Sequence, residues 1–198
     1  MKIDQSLPLE YSTEENRLKI YGFWIFLGAE IMLFATLFAS YFTLEGRTGN
    51  GPSGAEIFEI TPVLIETLVL LTSSFTIGLA IHAMRLGRQK AVIAFFVITL
   101  LLGAGFLSVE IYEFIHYVHV GAGIQTSAFT AILLLTLGTH GAHVTIGFFW
   151  GLFIVMQIRK RGITPQTANK SFIFSLYWHF LDVVWIFIFS FIYLKGMM

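Results

Sequence analysis

The sequence predicts an all-α polytopic membrane protein, a bundle of five transmembrane helices. Three observations predict it. The hydrophobic fraction is 56% and the mean hydropathy +0.78, well above the roughly 45–50% apolar share of soluble domains. Five apolar runs reach the roughly 20 residues that cross a bilayer core. The four prolines, Pro8, Pro52, Pro62 and Pro165, fall in the tail, in loops or at a helix start, where a missing N–H does no harm. Membrane β-strands are excluded because the runs are continuous instead of alternating.

The first span, 20–42, follows about twenty polar residues and lacks a small-residue cleavage site beyond it, so it reads as a retained helix and not a secretory signal. The second, 62–84, starts at Pro62. The third, 91–117, follows a short basic turn. The fourth, 128–158, is rich in glycine and carries two histidines. The fifth is 171–194. These spans make the whole chain, 1–198, one membrane domain, with neither an internal repeat nor a phosphate-cradling loop.

Charge is balanced, with 12 basic and 12 acidic residues, which excludes bulk attraction to nucleic acid. Its distribution is uneven. Lys2, Arg17, Lys19, Arg85, Arg88, Lys90, Arg159, Lys160, Arg161 and Lys170 fall on one side of the spans, Arg47 and Lys195 on the other. The positive-inside rule then makes the N-terminus cytoplasmic and the C-terminus external. Arg85, Arg88, Lys90, Arg159, Lys160, Arg161 and Lys170 are candidate contacts for anionic lipid headgroups; setting orientation is their simpler role. The absence of cysteine excludes disulfides, thiolate metal sites and c-type haem attachment.

Five acids fall inside the apolar runs. Glu66, Glu110 and Glu113 lie near span ends and read as partly hydrated interfacial acids. Glu30 and Asp182 lie near the middle, where a carboxylate needs a partner or a proton. His140 and His143 share the spacing of one face of the fourth span with Thr136 and Gly147, and His179 lies three residues before Asp182 on the fifth. These five deep groups, Glu30, His140, His143, His179 and Asp182, are read as a buried polar network that fixes helix packing; proton relay is the sharper alternative. Glu113 and His116 form a single E-x-x-H pair where a di-iron bundle needs two and further carboxylates. His140 or His143 with His179 could formally ligate a haem, but Asp182 one turn away suits a hydrogen-bonded pair better. No metal or cofactor site is expected. Gly138, Gly141, Ala142 and Thr145, and the GxxxG pair Gly147 and Gly151, offer narrow packing surfaces.

Three segments carry a resemblance: 22–35 (GFWIFLGAEIMLFA), 138–147 (GTHGAHVTIG) and 177–185 (YWHFLDVVW). Together they resemble subunit III of the haem–copper terminal oxidases, over all five spans. Larger members of that family have seven helices; five is the number in bacterial quinol oxidases and some bacterial cytochrome c oxidases. The stretches 110–119 (EIYEFIHYVH) and 161–167 (RGITPQT) look most like subunit III of Gram-positive menaquinol oxidases. The resemblance implies a non-catalytic subunit of a proton-pumping oxidase in the bacterial plasma membrane. Haem and copper would lie in subunit I, with subunit II and a small subunit IV as further partners. By the same analogy, Glu30 matches the helical carboxylate that reacts with hydrophobic carbodiimides, and His143 and Asp182 match parts of the polar interior. Family members hold phospholipid between helices and are thought to protect turnover and proton uptake by subunit I. The alternatives are subunit III of a bacterial cytochrome c oxidase, or a small transporter; against the latter stand unbroken helices and too few polar residues to line a pore.

Overall fold

The computed structural model describes residues 6–49 and 51–197, so Lys2, one of the basic residues used to orient the chain, lies outside the described residues. The helices are α1 (Glu14–Leu44), α2 (Gly54–Ile57), α3 (Ile60–Arg85), α4 (Gln89–His119), α5 (Ala128–Arg161) and α6 (Pro165–Ile188). A 3-10 turn, Leu9–Tyr11, precedes α1, and a π-helical turn, Phe189–Leu194, continues α6. Among the described residues there is no strand. Five helices are long and apolar enough to cross a membrane.

The first four long helices contain their predicted spans, the fifth span is covered by α6 together with its π-helical turn, and the helices outrun the apolar runs where capping chemistry carries them further. α1 starts at Glu14 because the Thr13 side chain accepts the N–H of Asn16 at 3.2 Å, satisfying a donor at the helix start. α6 starts at Pro165 instead of 171. There the Thr164 and Thr167 side chains each accept the other's backbone N–H, at 3.2 and 2.8 Å, and proline occupies the first helical position, where its fixed φ suits it. Gly162 ends α5 at φ 72°, a left-handed value that a side chain would strain. No apolar run marks the short α2; Glu56 accepts the Ser53 N–H at 2.9 Å and caps it.

α3, α4, α5 and α6 pack in a ring, each against the next and α6 back against α3, with α1 laid on α5 and α6. The seam of α6 holds the bulkiest fully buried side chains, Trp178 and Trp185. Glycine makes room for them. A Cβ at Gly103 would come within 2.8 Å of the Trp178 ring, one at Gly147 within 3.0 Å of Tyr177, and one at Gly151 within 2.7 Å of Leu100 and 3.0 Å of Phe174. The Gly147 and Gly151 pair is therefore a notch for α6 aromatics, the close approach on which helix association in lipid depends. Gly138 and Gly141 face Phe114 and Glu110 of α4, while Ala142 stays exposed.

Beyond Asn16 in its first turn, only a narrow stripe of α1 is buried: Ile20, Leu27, Phe34 and Tyr41, one residue in seven. Trp24, Ile25, Ile31 and Met32 point away from the bundle. At one end, the chain before α1 is tied down by polar contacts. Asn169 donates to the Glu10 and Asn16 carbonyls, both at 3.1 Å, and Asn16 donates to the Pro165 carbonyl at 3.0 Å. Arg85 donates through Nε and Nη2 to Glu10 Oε1, at 3.0 and 2.7 Å. Tyr11, beside this knot, has its phenol pushed up from the usual range, first by burial and then by the Glu10 charge.

Candidate functional site in the bundle interior

Glu30 stands on the α1 face that meets α5, and His143 on the α5 face that meets α1. Their side chains close at 3.1 Å, Nε2 to Oε2. His143 Nδ1 lies 2.7 Å from the Thr139 carbonyl, which can only accept, so Nδ1 carries a hydrogen. The contact between Nε2 and Oε2 therefore contains a single proton, carried either by the carboxyl or by the ring. Such a pair needs no third group to satisfy it and can pass that proton between its ends. Tyr177 donates to the His143 carbonyl at 2.9 Å, and the Phe34 ring lies 5.4 Å from the imidazole.

The other three predicted groups do not join this pair, and His179, its side chain 45% exposed, is not buried, so the five residues do not form one continuous buried network. His179 turns toward α3, where Ser74 Oγ lies 2.7 Å from Nδ1. Asp182 Oδ2 is 3.8 Å from the same nitrogen, beyond hydrogen-bond range, and neither Asp182 oxygen has a hydrogen-bond partner among the described residues. His140 is fully buried, and neither ring nitrogen has a partner among the described residues. It is enclosed by aromatic rings, with Trp185 at 5.4 Å, Phe106 at 5.7 Å and Phe34 at 6.4 Å. The two α5 imidazoles thus part company. Three residues turn a helix by about 300°, and the remaining 60° sends His143 to α1 and His140 inward.

Glu66, Glu110 and Glu113 are not hydrated interfacial acids: they are 1%, 6% and 5% exposed. Depth along the helix suggested water, but angular position decides. Glu66 shares the inward face of α3 with Leu70, Ser73 and Ile77; Glu110 and Glu113 share that of α4 with Gly103, Phe106 and Tyr117. The E-x-x-H pair is split, since Glu113 faces inward to Tyr117 and Tyr193 while His116 is half-exposed. No group of three or more His, Asp or Glu side chains among the described residues is arranged to hold a metal.

The basic residues sort differently from expectation. Arg85 is committed to buried Glu10 and is removed from the lipid candidates. Arg161 and Lys170 instead border a cavity of about 570 Å³ together with Lys19 of α1, over the apolar side chains Phe23, Phe26 and Ile173. Lys160 borders a neighbouring cavity of about 270 Å³ that shares Arg161. Lys19 was legible only as a topological charge, because the apolar run begins after it.

Five membrane-length helices packed around a polar interior define a multi-pass membrane protein. Residues 12–197 match the family described as cytochrome c oxidase subunit III, and the chain belongs to that family; it is a multi-pass membrane protein. It is 58% identical over 194 residues to a quinol oxidase subunit 3 of Bacillus subtilis, covering 98% of this chain and 95% of the relative. It is 48% identical over 190 residues to a cytochrome c oxidase subunit 3 of Bacillus sp. strain PS3, covering 96% and 92%. A probable quinol oxidase subunit 3 of Staphylococcus saprophyticus is 46% identical over 190 residues, covering 96% and 94%.

Proposed function

We propose that this chain is the non-catalytic subunit III of a haem–copper quinol oxidase, most simply a menaquinol oxidase, that reduces oxygen to water and pumps protons across a bacterial plasma membrane. The observation that carries the reading is the 58% identity, over nearly both full lengths, to a chain named as a quinol oxidase subunit, ten points above the relative named for cytochrome c. In this reading subunits I and II and a small subunit IV are its partners, haem and copper belong to subunit I, and its cytoplasmic end is the basic one. Its helices stabilise subunit I and its proton uptake. The second reading, subunit III of a cytochrome c oxidase, is favoured by the 48% relative. Purifying the tagged chain with its native partners decides between them. A haem-bearing partner that consumes oxygen with a menaquinol analogue and not with reduced cytochrome c supports the first; the reverse supports the second. Purification without any haem-bearing partner overturns both.

In this setting the Glu30 and His143 pair ties α1 to α5 and holds one proton. Glu30→Gln is expected to leave the complex assembled and most of its oxygen consumption intact, because a glutamine amide can donate to Nε2. The loss is that of one interhelical hydrogen bond, about 0.6–2 kcal/mol, read as a lower temperature for release of the subunit. Abolished oxygen reduction in an intact complex would show that Glu30 takes part in the chemistry itself.

The basic cavity fits the glycerophosphate end of an anionic phospholipid: Arg161 and Lys170, with Lys19, which also pairs with Glu15 at 2.6 Å, over a phenylalanine floor, at roughly 1 kcal/mol for each nearby basic residue. Changing all three to glutamine is expected to lower the phosphatidylglycerol or cardiolipin retained in native mass spectra of the complex. Equal retention in both proteins would confine these residues to setting orientation.

A further inference from the structure

Away from the Glu30 pair, the interior holds a second polar cluster, at the end of the bundle that carries the 45–59 segment. Glu110 and Glu113 lie on α4. Glu113 Oε2 accepts two phenol hydrogens, from Tyr193 at 2.8 Å and Tyr117 at 3.2 Å, and Tyr193 is delivered by the π-helical turn, a rare device that re-aims a side chain. Glu66 comes from α3, within electrostatic reach of both. Neither of its oxygens has a hydrogen-bond partner among the described residues, and Glu110 Oε1 has none either.

The titratable groups that act on the three carboxyls are one another, Tyr117, Tyr193, Glu59 and His116. None is a lysine or arginine. Three carboxylates without a cation cannot remain ionised together in a dry site, so a bound positive charge must neutralise them. A metal ion is disfavoured, because the carboxyls do not converge as a ligand set and two phenol donors already occupy Glu113 Oε2. A hydrogen on each orphaned acid needs no such convergence. Beside Glu113 a cavity of about 40 Å³, lined also by exposed Glu59 and half-exposed His116, has room for a water, which needs about 10–15 Å³.

We propose that Glu66, Glu110 and Glu113 form an exchangeable proton-binding site, distinct from the Glu30 and His143 pair, that meets the aqueous phase through the cavity between Glu59, Glu113 and His116. Protons enter as hydronium from the aqueous phase, pass through the cavity beside Glu113 and settle on carboxylate oxygens of Glu66 and Glu110, leaving neutral water behind; Tyr117 and Tyr193 keep theirs and hold Glu113. The inference rests on this cluster alone and stands whichever electron donor the complex uses.

Infrared difference spectroscopy of the purified native complex tests it. Protonated-carboxyl C=O bands at neutral pH are expected to shift in heavy water and to lose one component in each of Glu66→Gln and Glu110→Gln. Glu59→Gln combined with His116→Asn should slow the shift. Tyr193→Phe keeps all three acids and removes one donor, so a displaced carboxyl band there reports the site even if a glutamine variant fails to assemble. Carboxyl bands unchanged in every variant overturn the proposal. So does sodium, potassium or calcium bound stoichiometrically after desalting and lost in Glu66→Gln.

Discussion

Trp178→Ala is expected to release α6 from the bundle, at a cost of roughly 2–4 kcal/mol. Trp→Ala in water-soluble cores costs about 3–5 kcal/mol, and part of that is transfer from water, which a lipid reference state lacks. What remains is lost packing: the ring is 1% exposed, fills the notches at Gly103 and Gly147, and donates through Nε1 to Ser73 Oγ at 2.9 Å. Trp178→Phe keeps most of the packing and loses the donor, about 1 kcal/mol. Subunit retention in the purified complex under rising detergent or temperature checks both. If Trp178→Ala behaves as wild type, the α6 seam is not what holds the bundle together.

Arg85→Met is expected to be nearly as damaging, by roughly 2–4 kcal/mol. Removing one partner of a buried ion pair costs about 3–5 kcal/mol, because the other charge stays behind in a dry place. Glu10 is wholly buried, and both its hydrogen bonds from charged donors come from this guanidinium; Arg85, half in water, moderates the loss. Adding Glu10→Leu to Arg85→Met removes the stranded carboxylate and should recover most of the stability, since an apolar replacement of a buried pair is often neutral. Thermal stability of the two variants side by side decides it. If the double variant is no better than the single one, Arg85 acts through contacts other than Glu10.

The spans were legible because hydropathy needs no knowledge of partners. The ends were not, because Thr13, Thr164 and Thr167 act through local hydrogen bonds that an apolar run ignores. Within the interior, depth was readable and direction was not. Glu66, Glu110 and Glu113 lie near helix ends and yet face inward, and His140 and His143 share a face broad enough to meet different neighbours. Glu30 could be seen to need a partner, but its partner lies 113 residues away, and nothing in local spacing names it. Ser74 and Tyr193 gave no signal of their own: a serine and a tyrosine in apolar helices look alike whether or not they serve a buried ring or acid.

The buried stripe of α1, one residue in seven, has a consequence for biogenesis. α1 has its docking surface on α5 and α6, which are made well after it. About 120 residues separate the end of α1 from the start of α6, so at roughly 5–20 residues per second α1 waits some 6–24 s in the bilayer before its seat exists. For most of that interval, until His143 of α5 is made, Glu30 has no partner beside it. The hairpin of α3 and α4 can close meanwhile, and insertion factors that shelter a lone polar helix would find their client in α1.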